Sequence, residues 1–204
     1  MTEKTIHIDV FKDKSIDEFT KTQSDPDKKT DTGSAAAAVS AIAAAFLCRV
    51  TKLIRAGNAA VERLDWLERN TEILRNYFVR LIDEDVKCKA PLRRAEKEAD
   101  QNKISAARQT AISICSEIIN MNGKCLELAE ELAGYCDEAQ SPYLRESITL
   151  ALSSAEICIS YCLKMSSTSS DDTYRYVIRR ENELNLQTMQ QTADRIHDIL
   201  NCSK

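Results

Sequence analysis

An all-α fold, an up-and-down bundle of long helices, is what this sequence predicts, and three observations carry the prediction. Helix breakers are scarce, with 4 Gly and 3 Pro in 204 residues. Aromatic residues make up 5%, so Leu, Ile, Ala, Glu, Lys and Arg fill the chain, the composition of helices joined by short turns. Apolar side chains recur at steps of three and four over most of the length, the period of a helix rather than a strand. The length suits a single domain with its own core. We divide it into an N-terminal arm, 1–13, and one helical domain, 14–204.

The arm (MTEKTIHIDVFKD) alternates weakly at Ile6, Ile8 and Val10, but one short strand has no partner in the chain, so we read it as a segment that packs on a neighbour. Ser15 is placed to N-cap a short helix carrying Ile16 and Phe19, and SDPDKKTDTG is a loop by its Asp, Pro and Gly content. From Ser34 a helix of about five turns is expected on Val39, Ile42, Phe46, Val50 and Leu53, flanked by Ala43, Leu47 and Ile54, with Gly57-Asn58 ending or kinking it. The next helix carries Leu64, Leu67, Thr71, Leu74, Phe78 and Leu81, a coiled-coil-like stripe whose following place is Asp85. After Pro91 the charged segment LRRAEKEADQNK leads to a third long helix on Ile104, Ala107, Ala111, Cys115, Ile118, Asn122 and Leu126, stopped by Gly134. Ser141-Pro142 opens a fourth, with Leu144, Ile148, Ala151, Ala155, Cys158, Cys162 and Met165. SSTSSDD breaks it, and Ser170 or Asp171 caps a last helix on Val177, Leu184, Met189, Ile196 and Leu200.

Charge and composition narrow the function classes. A net charge of −4 with both signs interleaved gives no phosphate-tracking groove, so no nucleic-acid partner is expected. The charge-free run Thr32 to Cys48 is shorter than the roughly 20 apolar residues that span a bilayer, and no cleavable signal opens the chain, so the expectation is a cytoplasmic protein without a membrane partner. The 8 Cys lack CxxC spacing. Cys158 and Cys162 share a helix face and would hold a metal only with further ligands, whereas small hydrophobic thiols in a reducing compartment account for the whole set. A binder of membranes or target helices would need an exposed apolar stripe, and the stripes here suffice to cover one another.

The stretch DTGSAAAAVSAIAAAF concentrates small residues on one helix. Ala and Ser let backbones approach closely, as suits a central helix surrounded on several sides. Two readings stay open for its start: tight packing alone, or free N–H groups at Gly33 and Ser34 facing an anion. Asp85 likewise reads either as a helix residue paired with Arg93, Arg94 or Arg108, or as a carboxylate kept for chemistry. Lys87, Lys89, Arg93, Arg94 and Lys97 form a basic run that is a solvated face or an attractor for an anionic tail.

The order KSIDEF, loop, DTGSAAAAVSAIAAAFLCRVTKL resembles the start of the folate-linked cyclodeaminase/cyclohydrolase family, in which a short helix is followed by a Pro-Gly-Gly-Gly-Ser loop and a small-residue helix. LIDEDVKCKAPLRRA resembles that family's Asp-bearing helix end, KISAARQTAISICSEI its Arg-bearing segment, and LELAEELAGYCDEAQSP the region of its Gly-Asn and Ser-Asp motifs. The resemblance implies an all-α homodimer without a prosthetic group or metal, acting on a tetrahydrofolate derivative. Members either hydrolyse 5,10-methenyltetrahydrofolate or cyclise 5-formiminotetrahydrofolate to it with release of ammonia. By that resemblance Asp85 is the catalytic residue, and Gly33, Ser34 and Arg108 bind substrate.

Departures from the family pattern sit beside these matches. Thr30, Asp31 and Thr32 stand where the family has its proline and first two glycines, and Tyr135 follows Gly134 in place of Asn. No Ser-Asp pair occurs around Gln140, Ser141 and Pro142, and no Asn near Ser160 and Leu163. The second function class is therefore a non-catalytic helical scaffold or subunit that kept the fold and lost the site.

Overall fold

The computed structural model describes residues 11–25, 32–57 and 62–202, and among these every regular element is helical. The helices are α1 (Ile16–Ser24), α2 (Thr32–Gly57), α3 (Glu62–Glu98), α4 (Gln101–Ala111), α5 (Ser113–Ala133), α6 (Ser141–Ser166) and α7 (Asp172–Cys202). The strand-like positions Ile6, Ile8 and Val10 lie outside the described residues. Cross-helix pairs give the directions: Lys52 meets Glu72, Arg63 meets Glu131, Asn122 meets Ser154 and Arg145 meets His197. Each successive long helix runs antiparallel to the one before it, the up-and-down bundle expected from the pattern.

Local chemistry sets the helix ends. Ser15 and Glu18 form a reciprocal capping box at α1. Asp171 accepts the Tyr174 N–H at the start of α7, Gly134 follows α5, and Pro142 lies in the first turn of α6. The arm ends in a dock: Phe11 is buried, its N–H donates 2.6 Å to Asp83 Oδ1, and its ring meets Phe19 edge-on at 5.8 Å.

Two boundaries differ from the sequence reading. Pro91 does not end α3, which continues to Glu98 although Pro91 offers no N–H to the Lys87 carbonyl. Proline and lysine are both exposed there, and Leu92 and Ala95 gain a cluster with Ile104, Ala107 and Ala111. The reversal comes at Ala99, whose φ of 54° is left-handed, and at Asp100, whose side chain caps α4 through the Asn102 and Lys103 N–H groups. The expected third helix is also divided: Ile112 separates α4 from α5.

Part of the apolar stripe of α2 turns outward. Ile42 is 51% exposed and Leu53 42%, whereas Ala36, Ala37, Ser40, Ala43, Ala44, Leu47, Val50 and Ile54 are buried. The helix packs against α3, α5 and α6 together. Close packing on three neighbours favours small side chains in its first half, and the large buried residues, Leu47, Val50 and Ile54, lie in its second half. Serines stitch this contact. Ser34 Oγ donates to the Ile82 carbonyl at 2.7 Å, Ser147 Oγ to Ala43 at 2.8 Å and Ser154 Oγ to Ala36 at 2.8 Å, each crossing to another helix. Asn122 completes a buried cluster by donating to Ser40 Oγ at 2.9 Å. On α7, Val177 and Leu184 are exposed while Met189, Ile196 and Leu200 fill the core.

Helices α2 and α6 are also the two that are long and apolar enough to cross a membrane, yet 50% and 39% of their apolar windows are buried within this bundle. All eight cysteines are free thiols. Cys115, Cys158 and Cys162 are all buried in the core.

Enlarging the small face tests the packing. Ala43→Leu is expected to cost about 1–3 kcal/mol by overpacking and Ile42→Ala no more than about 0.5 kcal/mol. Urea denaturation of the two variants measures both, and an equal cost would refute the assignment of faces.

Candidate functional site

The first turn of any helix carries N–H groups that its own backbone does not satisfy, and α2 meets that requirement with a carboxylate from another helix. Ser34 N–H donates to Asp85 Oδ2 at 2.9 Å, and Ser34 Oγ lies 3.4 Å from the same oxygen while bonding the Ile82 carbonyl. Asp85 thus acts as a cap supplied from α3, placed at the positive end of the α2 dipole. It continues the stripe of Leu64, Leu67, Thr71, Leu74, Phe78 and Leu81, every member of which is buried, and it is itself 0% exposed.

Gly33 makes the approach possible. A Cβ at this position would stand 2.2 Å from Asp85 Oδ1 and 2.4 Å from its Cγ. Any side chain would therefore displace the carboxylate. The need for glycine is one of space.

The charge of Asp85 is met by a residue that the sequence reading left on a basic surface run. Lys89 Nζ lies 2.9 Å from Asp85 Oδ2, and Lys89 is 4% exposed. Its ammonium also sits 4.3 Å from the centre of the Tyr161 ring on α6, a cation–π contact. Burial is the largest single influence on Lys89 and acts downward, but Asp85, Cys115 and Tyr161 together outweigh it and hold the lysine above its ordinary range. The spacing from Asp85 to Lys89, four residues on one helix, was the available signal. Lys87, two residues from Asp85 and so on another face, is exposed and pairs with Glu84.

Three of the four residues singled out from sequence, Gly33, Ser34 and Asp85, are therefore in direct contact. The fourth is not part of that cluster. Arg108, half-buried on α4, donates to Thr168 Oγ1 at 3.0 Å in the α6–α7 turn. Asp85 is neither partly exposed nor paired with Arg108.

The departures from the family pattern fall at two separate ends. Ser160 and Leu163 flank Tyr161, at the same end of α6 as Asp85. Tyr135, Gln140, Ser141 and Pro142 lie at the other end, about 30 Å away along the helix, beside a cleft of about 390 Å³ lined by Cys136, Asp137, Ser141 and Arg145. Among the described residues no group of His, Cys, Asp and Glu is arranged to hold a metal ion.

A carboxylate, an ammonium and helix N–H donors gathered in a buried place can accept a proton and balance charge on a reacting centre. The family model described as formiminotransferase-cyclodeaminase matches residues 15–163. The crystal structure of formiminotetrahydrofolate cyclodeaminase from Thermotoga maritima resembles the chain with a TM-score of 0.83, covering 93% of this chain and 96% of that one at 17% identity. No curated protein sequence matches.

Two substitutions test the cluster. Gly33→Ala is expected to destabilise by about 1–3 kcal/mol, since the added carbon overlaps a buried carboxylate; an unchanged unfolding midpoint would contradict the contact. Lys89→Met strands a buried anion and should cost about 3–5 kcal/mol. The raised folded-state value of Lys89 means that its stabilisation is complete below the unfolded lysine value of about 10.4 and is lost as pH climbs through the higher folded value. The gap between wild type and Lys89→Met should accordingly narrow in strongly alkaline buffer and stay constant between pH 7 and 9.

Proposed function

The chain belongs to the formiminotransferase-cyclodeaminase family, and from that premise we propose that it acts on a one-carbon derivative of tetrahydrofolate where α2 begins and α3 ends. The observation that carries this reading is the seat of Asp85: a fully buried carboxylate held on the Ser34 N–H, fitted against Gly33 and matched by Lys89. Desolvating an ionised carboxylate is costly, and a fold that needed only packing would fill the position more cheaply with an apolar side chain.

Two reactions fit a proton acceptor beside helix N–H donors. In hydrolysis of 5,10-methenyltetrahydrofolate, water adds to the bridging carbon and gives up a proton to Asp85. The tetrahedral centre then collapses, one carbon–nitrogen bond breaks, and the freed ring nitrogen is protonated. In cyclisation of 5-formiminotetrahydrofolate, the neighbouring amine nitrogen outside the pterin ring attacks the formimino carbon and gives up its proton, that proton passes to the terminal formimino nitrogen, and the bond from carbon to that nitrogen breaks as ammonia leaves. Asp85 carries the proton in either case, and the Ser34 N–H steadies the carboxylate. Arg108, engaged with Thr168 rather than Asp85, is assigned to the carboxylates of the ligand's glutamate portion.

The assembly we propose is a cytoplasmic homodimer. Its support is the outward apolar surface of α2 and α6, where Ile42, Leu53 and Ile157 are exposed and Phe46 stacks on Tyr143.

A second reading, a scaffold that kept the fold without turnover, is favoured by a specific feature: Asp85 already receives two donors from the chain itself. A thermal-shift titration separates the two. With 5-formyltetrahydrofolate at a hundredfold excess over its dissociation constant, wild type should gain about 2.7 kcal/mol, seen as a raised Tm. Asp85→Asn should alter that gain and abolish loss of the methenyl absorbance in a turnover assay. Binding without turnover in wild type would leave the scaffold reading standing, and absence of both would remove the folate.

A further inference from the structure

Two separate elements are tied to one turn of α3. Ser34, at the start of α2, donates its N–H to the Asp85 carboxylate and its hydroxyl to the Ile82 carbonyl. Between those positions lies Asp83, 6% exposed, whose Oδ1 accepts from the Phe11 N–H at 2.6 Å and from the Lys12 N–H at 3.2 Å. We propose that Asp83 is a positioning residue for the site at Asp85: by anchoring residues 11–25 as a strap, it holds the start of α2 against that carboxylate. The inference goes beyond the folate reading, because the contact it concerns is the same whatever ligand the site takes.

The strap is built to behave as one body. The Lys14 N–H donates to the Phe11 carbonyl at 3.1 Å, closing a turn that leads into the capping box of Ser15 and Glu18. The Phe19 ring of α1 meets Phe11 edge-on at 5.8 Å, and Lys14 Nζ lies 4.5 Å over the Phe11 ring. Anchor and helix therefore hold each other. Phe11 belongs to the main core, and Thr22 near the end of α1 is buried as well. α1 ends at Ser24 and α2 begins at Thr32, so a strap fixed on α3 brings the chain back close to where Ser34 must be delivered.

Residues two apart on a helix point about 200° from each other, so Asp83 and Asp85 serve opposite sides of α3. One carboxylate holds the strap and the other receives α2. The first turn of a helix frays when the chain before it is free, because its unsatisfied N–H groups have nothing to hold them in place. A docked strap shortens the segment that must find its own place and so reduces the entropy lost on docking Ser34. Removing the acceptor strands two backbone donors, one of them on the buried Phe11. Asp83 acts through the strap on Ser34 and Asp85, not on a reacting atom.

Hydrogen exchange of the full chain, read by NMR at single amides, tests this. The readout is the exchange rate of Ser34, whose N–H meets Asp85, divided by that of Val50, buried in the second half of α2. In Asp83→Ala the ratio should rise about tenfold or more. Asp83→Asn keeps an acceptor oxygen and should return the ratio toward that of wild type. Phe11→Ala removes the ring and leaves the carboxylate; it should raise the ratio as Asp83→Ala does, and it serves in place of that variant if the latter does not fold. An unchanged ratio in a folded variant, the mark of an anchor that only stabilises the whole bundle, overturns the positioning role, and so does Asp83→Asn behaving as Asp83→Ala. Turnover of 5,10-methenyltetrahydrofolate gives a second readout: in Asp83→Ala kcat should fall about tenfold with KM within about twofold, as loss of placement rather than of binding requires. An unchanged kcat overturns the role as well. A wild type that turns over no folate removes the folate reading and leaves Asp83 to be decided by the exchange ratio.

Discussion

A carboxylate that must fit where no side chain can stand is the constraint from which the rest of the molecule is best understood. Asp85 reaches the start of α2 only because Gly33 lacks a Cβ, and a carbon there would come within 2.2 Å of it. Once seated, the carboxylate is out of reach of solvent and needs donors and a counter-charge. Ser34 gives the first and Lys89 the second. The ammonium in turn lies over Tyr161 from α6 and beside Cys115 from α5. One buried charge therefore brings four helices to one point. Such a pair is poor evidence for stability as such, because an apolar replacement of both members is often neutral, while loss of one member strands the other. What it supplies is a demand for register.

That demand is met along the length of α2 by small hydroxyl residues. Ser34, Ser147 and Ser154 each donate to a carbonyl of a different helix, at separations from 2.7 to 2.8 Å. Contacts of this kind require the backbones to lie close and fix how far one helix slides along the next, which Leu-to-Leu packing tolerates more loosely. The stretch rich in Ala and Ser is thus not filler. It is the surface along which three helices are brought close enough for a hydrogen bond to reach from side chain to foreign backbone.

Much of this was legible in the sequence because it rests on periodicity and on end signals. The stripe from Leu64 to Leu81 lies in the core in its entirety and Asp85 continues it, as a run of steps of three and four requires. The N-cap at Ser15 and the proline opening α6 were equally plain. Of the positions expected to be apolar on α2, Ala43, Leu47, Val50 and Ile54 are buried, whereas Ile42 and Leu53 turn outward, because small residues fill the face where three helices press close. Continuation of α3 through Pro91 was hidden for a related reason: local propensity argues against it, and Leu92 and Ala95 recover more from packing on α4 than the missing hydrogen bond costs. The site was half visible. Gly33, Ser34 and Asp85 could be named one by one, but that Lys89 is buried with them depends on Tyr161 and Cys115, more than 70 and 25 residues away, as read from their numbers in the chain.

The closeness of the packing bears on the chemistry as well. A proton acceptor works only if it is held near its target, and side chains placed by packed helices hold position better than those on loops. Asp85 and Lys89 project from adjacent turns of α3, and Ser34 is locked to α3 by its hydroxyl as well as its N–H. Relative motion of α2 and α3 would break both bonds at once, so the carboxylate and its donor move as a unit. Arg108 is placed differently, on a short helix beyond the left-handed turn at Ala99, tied to Thr168 in the turn after α6. On the function proposed above, rigid placement would suit a group near the reacting carbon, and a cation at the margin would suit a long, flexible anionic tail. The two groups in any case stand on elements that differ in how tightly they are held, Asp85 between packed long helices and Arg108 on a short one.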